Sequence, residues 1–109
     1  MENQRLSQLL ELLKLSPDDS FLLFAVGKEY EGQENYDLAL KYYLKLKDTD
    51  PEYIGLYYHL AHLYILLQED ILALSIFEQG ITLAKKQGDF HALSELNNAK
   101  TNLEITLGN

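Results

Sequence analysis

His59 and His62 stand three residues apart, a spacing that on a helix turns two imidazoles to one side, where a metal ion could meet both. A zinc site takes about four ligands, and no third stands beside this pair in sequence. Two polar positions on a partly exposed helix are the simpler reading, with metal binding through His59 and His62 as a remote alternative. Asp48, Asp50 and Glu52 alternate in the manner of calcium ligands, but the glycine and the distal glutamate of an EF-hand are missing. Asp50, directly before Pro51, reads better as a helix N-cap; Asp18 and Asp19 read the same way after Pro17, and Asp70 and Asp89 as further helix starts. The six glycines are dispersed, so there is no phosphate loop, and no Gly-x-Ser-x-Gly elbow exists. Ser7, Ser16, Ser20, Ser75 and Ser94 have no histidine and acid in any recognisable arrangement. With no cysteine there is no disulfide, thiolate ligand or cysteine nucleophile. The expectation is a chain with no catalytic residues, no metal and no cofactor.

The elements that carry these residues must be soluble ones. The 109 residues suit one domain, and 47% are hydrophobic without any run of the ~18 apolar residues that a membrane span needs. The N-terminus lacks the features of a signal peptide, so a cytoplasmic location is expected. The formal charge of −8 is spread along the chain, with 11 acids and 6 bases in residues 1–54 and 6 acids and 3 bases in residues 55–109. Such a balance opposes nucleic-acid phosphate and anionic lipid, so neither nucleic acid nor membrane is expected as a partner.

Only two prolines occur, Pro17 and Pro51, and stepping the sequence by the offset between them reveals a repeat. Leu23 pairs with Tyr57, Val26 with Leu60, Gly27 with Ala61, Tyr30 with Tyr64, Ala39 with Ala73 and Tyr43 with Phe77. Leu9 extends the last column backward. Tyr57, Leu60, Ala61 and Tyr64 are i, i+3, i+4, i+7, one stripe of an amphipathic helix. Ala73 and Phe77 begin the stripe of a second helix, after the polar break at Gln68-Glu69-Asp70. Gly32-Gln33-Glu34-Asn35 is the corresponding break in the earlier unit. Small residues at Gly27, Ala61, Ala39 and Ala73 let the two helices of a unit approach, so that Tyr43 or Phe77 fills the space between them.

These columns resemble the tetratricopeptide repeat family, whose unit has the same length and runs through a large residue, an apolar-small pair, an aromatic, an alanine, an aromatic and a closing proline. Residues 20–53 match at Leu23, Val26-Gly27, Tyr30, Ala39, Tyr43 and Pro51. Residues 54–87 match at Tyr57, Leu60-Ala61, Tyr64, Ala73 and Phe77 but depart late, with Gly80 at a usually small position and Lys85 where proline is expected. The resemblance implies an all-α fold, a short right-handed α-solenoid of antiparallel helix pairs with about six helices. Its expected divisions are an N-terminal capping helix (1–17), repeat 1 (20–53), repeat 2 (54–87) and a C-terminal capping helix (88–109). The last carries Ala92, Leu93, Leu96, Ala99 and Leu103 on one face and is expected to turn a polar face outward.

The same resemblance implies a non-catalytic module that binds a protein or peptide on its concave surface, lined by first-helix residues one position beyond the packing stripe. That rule selects Phe24, Lys28 and Glu31, then Tyr58, His62 and Ile65, with Phe21 at the rim. One branch of the family grips a carboxylate terminus with basic and amide groups; Phe24, Lys28 and His62 at those positions make such clamping unexpected. Tyr30, Tyr43, Tyr57 and Tyr64 read as core, and Tyr36, Tyr42 and Tyr53 as half-exposed. Residues 54–67 are apolar nearly all round, so any face left uncovered is an association site, and a homodimer through that surface or a capping helix is the alternative function.

Overall fold

The computed structural model of the protein describes residues 3–108. Among them are six helices and no strand: α1 (Gln4–Leu15), α2 (Ser20–Gly32), α3 (Tyr36–Thr49), α4 (Gly55–Leu66), α5 (Asp70–Gln87) and α6 (Phe90–Gly108). They fall into two compact units, Met1–Tyr53 with α1 to α3 and Ile54–Asn109 with α4 to α6. The all-α class holds, and the division falls where the second repeat of the sequence begins.

Short polar side chains and proline turns set most of the helix ends. Asp19 caps α2 by accepting the Leu22 N–H at 2.9 Å, and Asp89 accepts the Ala92 N–H at 3.0 Å at the start of α6. Asn3 and Asn35 cap α1 and α3 in the same manner, accepting from Leu6 and Leu38. The expectation for Asp50 is corrected: it is the C-terminal cap of α3, and its carboxylate accepts the Ser20 hydroxyl at 2.6 Å. Pro51 is the second residue of a turn closed by Tyr53 N–H to the Asp50 carbonyl at 3.1 Å, ahead of α4. Pro17 occupies the matching turn, with Asp19 N–H bonded to the Ser16 carbonyl at 3.1 Å. Where Asp19 caps α2, its counterpart one repeat later is Tyr53, and α4 starts with no side-chain cap. Asp18 caps nothing and lies 3.8 Å from Lys45. Asp70 is the first residue of α5, one position inside the helix, where its charge complements the N-terminal dipole.

Both breaks between paired helices use one backbone device. Glu34 and Gln68, equivalent positions of the two repeats, each sit at φ 61°. Asn35 N–H reaches the Tyr30 carbonyl at 2.9 Å, and Glu69 N–H reaches the Tyr64 carbonyl at 2.8 Å. This is the left-handed stop that satisfies orphaned carbonyls at a helix end. Glycine takes the strained position only after α5, where Gly88 has φ 69° and Asp89 N–H reaches the Ala84 carbonyl.

The repeat columns are the cores of the two units. In the first, Leu23, Val26, Ala39, Tyr43 and Leu46 are fully enclosed, and a Cβ on Gly27 would overlap the Tyr43 ring. The glycine is therefore the seat of that ring, which lets α2 and α3 close on each other. In the second unit Leu56, Leu60, Ala61, Leu63, Ala73 and Phe77 are enclosed, with Leu96 of α6 beside them. A Cβ on Gly80 would lie 2.7 Å from Tyr57 Cβ and 3.1 Å from Leu96 Cδ1, so α4, α5 and α6 converge there. Each enclosed leucine contributes roughly 1.5–3 kcal/mol over its exposed state. The Tyr30 and Tyr64 column departs from expectation, since both are half-buried where core was expected. Tyr36, Tyr42 and Tyr53 are half-buried as expected.

At the start of the first unit, Glu29 of α2 accepts from Asn3 at 3.0 Å and pairs with Arg5 at 3.3 Å, which fastens the beginning of α1. The outer side of α6 is less polar than expected. Phe90 is 78% exposed, and Ile105 and Leu107 also face solvent.

Candidate functional site

The stripe beside the packing columns falls into two groups, one in each unit. On α2, the Phe24 ring lies 5.2 Å from Tyr53 and 6.1 Å from Tyr43, tilted to both, and the Lys28 ammonium sits 5.5 Å above it. Phe24 is half-buried and Lys28 exposed, so an aromatic plate lies under a positive charge. Glu31 accepts the Tyr43 hydroxyl at 2.7 Å, which ties it to the core as well as to the stripe. Phe21, 62% exposed, stands in the first turn of α2.

On α4, Tyr58 and His62 lie near parallel, 10° apart with centroids 6.4 Å apart, while His59 meets Tyr58 edge-on at 5.9 Å. The two imidazoles are thus arranged around a tyrosine ring. Among the described residues no group of three His, Asp or Glu is placed to hold a metal ion.

Tyr58, His62 and Ile65 form one side of a groove of about 310 Å³. The other side is α6, with Ala99, Asn102, Leu103 and Thr106, and Phe77 lies at the base. The C-terminal helix therefore walls the stripe without burying it, because His62 stays exposed and Tyr58 and Ile65 half-buried. Asn102 and Thr106 line the groove and are absent from the residues expected from sequence. Their signal was legible: Ala99, Asn102, Leu103 and Thr106 are i, i+3, i+4, i+7, a stripe as regular as that of α4. The groove combines apolar surface from Tyr58, Ile65 and Leu103 with an imidazole, an amide and a hydroxyl, which can bond the polar backbone of an extended or helical segment. Asp70 is its one charged lining residue.

Burial, with the hydrogen bond to Glu31 and its charge, pushes the Tyr43 phenol far above its ordinary value near 10. Tyr53 is raised by burial and by Asp50 and Asp19, and Tyr64 by burial and by Glu69. A raised folded value means that the unfolded chain gives up the proton first, so stability is complete below about pH 10 and falls above it. Tyr43 alone is expected to remove up to roughly 1.4 kcal/mol per pH unit in that window, and the part-solvated Tyr53 and Tyr64 less. Urea unfolding from pH 9 to 11.5 checks this, and Tyr43→Phe should give a shallower fall. An identical fall in that variant would contradict the assignment.

Paired helices that recur at one fixed offset, each with an open stripe beside its packing columns, define a helical-repeat protein. The tetratricopeptide repeat matches residues 22–53 and 54–87, and the chain belongs to that family. Its structure is similar to the solution NMR structure of a tetratricopeptide repeat domain protein from Salinibacter ruber. That chain is 39% identical, with 81% of this chain and 89% of that one covered and a TM-score of 0.77. A protein from Bordetella parapertussis is 25% identical, covers 97% of this chain and 91% of its own, and has a TM-score of 0.84. The TPR2B domain of yeast Sti1, solved in complex with pHsp70, is 16% identical, with coverages of 93% and 81% and a TM-score of 0.86, a likeness of fold alone. Among curated proteins no sequence matches.

Proposed function

We propose that this chain is a non-catalytic protein-interaction module that binds a peptide or protein segment in the α4–α6 groove, through Tyr58, His62 and Ile65 with Asn102 and Thr106 opposite. The observation that carries the reading is the aromatic and imidazole stripe left open beside a complete set of packing columns. Phe24 and Lys28, with Phe21 and Glu31 around them, offer a second contact patch on α2. A groove with Asp70 as its charged lining residue suits a neutral or basic segment better than a carboxylate terminus. No helix among the described residues is long and apolar enough to cross a membrane.

Wild type and a Tyr58→Ala, His62→Ala double variant, both immobilised, should retain different proteins from a lysate. The double variant should keep a cooperative melt, because His62 is exposed and Tyr58 half-buried. Identical retained sets from a folded variant would remove these residues from the site. The exposed Phe90, Ile105 and Leu107 of α6 favour self-association as the second reading. Light scattering that stays at 12.6 kDa at high concentration would remove it.

A further inference from the structure

We infer that a groove between α1 and α3 is a second docking surface, built for an acidic protein segment that carries an apolar anchor. Its volume of about 550 Å³ lies within the range of ligand clefts. Leu10, Leu13 and Tyr42 supply apolar surface, and Lys14, Lys41 and Lys45 supply charge. The Tyr42 ring is held by stacking on Tyr30 at 5.7 Å, and the Lys41 ammonium lies 5.4 Å from its centroid.

Charge decides the occupant. The chain carries −8, yet three of its nine basic residues line this one groove, against a single acid, Glu11. Lys41 and Lys45 stand at i and i+4 and so share one face of α3. Lys14 faces them from α1, paired with Glu11 at 2.7 Å, and Lys45 reaches Asp18 of the adjoining turn at 3.8 Å. Both pairs are exposed, of the kind a better-placed carboxylate displaces readily. Nucleic acid fits poorly, because an extended polyanion would meet the acidic remainder of the chain. A short segment feels mainly the local field, which screening confines to about 8–10 Å. Two carboxylates one helical turn apart would answer Lys41 and Lys45, while a large apolar side chain settles against Leu10 and Tyr42, with its backbone within reach of the Ser7 and Tyr42 hydroxyls. This surface lies on other helices than the α4–α6 groove and is independent of it.

Selection from a library of displayed random peptides tests the inference, with full-length wild type and the Lys41→Glu, Lys45→Glu variant as baits. Peptides enriched on wild type should carry at least two Asp or Glu around a large apolar residue. Lys41→Glu, Lys45→Glu should weaken the best of them about tenfold or more, and high salt should weaken wild-type binding likewise. Lys85→Glu, on α5 and outside the groove, should leave them unchanged, and circular dichroism should find every variant folded, since the substituted lysines are exposed. Enrichment without acidic bias, or equal binding by the Lys41→Glu, Lys45→Glu variant, would overturn the inference. A wild-type dimer that the same variant dissociates would give the groove to a second copy and overturn it too.

Discussion

Phe77→Ala is expected to lower stability by about 3–5 kcal/mol. Phe77 is 1% exposed on α5, so the truncation opens a cavity among side chains that are themselves enclosed. Because the α4–α6 groove opens above Phe77, partial collapse into the cavity places the cost toward the lower end of that range. Against a total of roughly 5–15 kcal/mol for a domain, this is a large fraction. Phe21→Ala, at a rim position, is expected to change stability by less than about 0.5 kcal/mol. Urea unfolding of the two variants checks the contrast. Similar losses in both would mean that the repeat columns are not the core.

Gly80→Ala and Gly32→Ala are the same chemical change with opposite expected signs. Alanine is favoured over glycine in a helix by about 1 kcal/mol. At Gly32, the last residue of α2, nothing lies within 4 Å of an added Cβ, so a fraction of that gain should appear as stabilisation. At Gly80 the added carbon meets Tyr57 Cβ at 2.7 Å, an atom anchored directly to the α4 backbone, which no rotamer change can move aside. Overpacking of this kind typically costs about 1–3 kcal/mol, and a close backbone-anchored contact belongs at the upper end. A net loss of about 1–2 kcal/mol should remain after the helical gain, read as a lower midpoint in the same urea experiment. A stabilised Gly80→Ala protein would mean that α4 and α5 do not approach as described.

The columns were legible because large and small residues alternate at a fixed offset: Gly27 under Tyr43 in one unit, and Ala73 beside Phe77 in the other. Asp19 and Asp89 were legible as caps because a short carboxylate stands directly before a helix. Asp50 misled, since an acid before proline serves equally well in a turn, and its partner, Ser20, lies at the far end of the same repeat. The stops at Glu34 and Gln68 were hidden because neither is glycine, the residue that ordinarily announces a positive φ. Tyr30 and Tyr64 share their column with each other but sit near the helix ends, where enclosure is incomplete. At the candidate site the α4 stripe comes from the rule that the family resemblance implies, and its i, i+4, i+7 spacing puts Tyr58, His62 and Ile65 on one face. Its opposite wall carries no aromatic to announce it, since α6 has Asn98 at the offset where the earlier helices have Tyr30 and Tyr64. The groove that α1 and α3 line with three lysines needed the fold, since the whole of α2 separates Lys14 from Lys41 in sequence.

The central claim is that the repeat columns build the scaffold while the open stripe on α4 meets the partner. A photo-crosslinking amino acid placed at position 62, and in a second protein at position 79 on the exposed side of α5, tests it most directly. In cell extract, position 62 should give a discrete cross-linked product that excess unmodified wild type competes away and the Tyr58→Ala, His62→Ala variant does not, with no such product at position 79. Equal products at both positions, or a product at position 79 alone, would contradict the account.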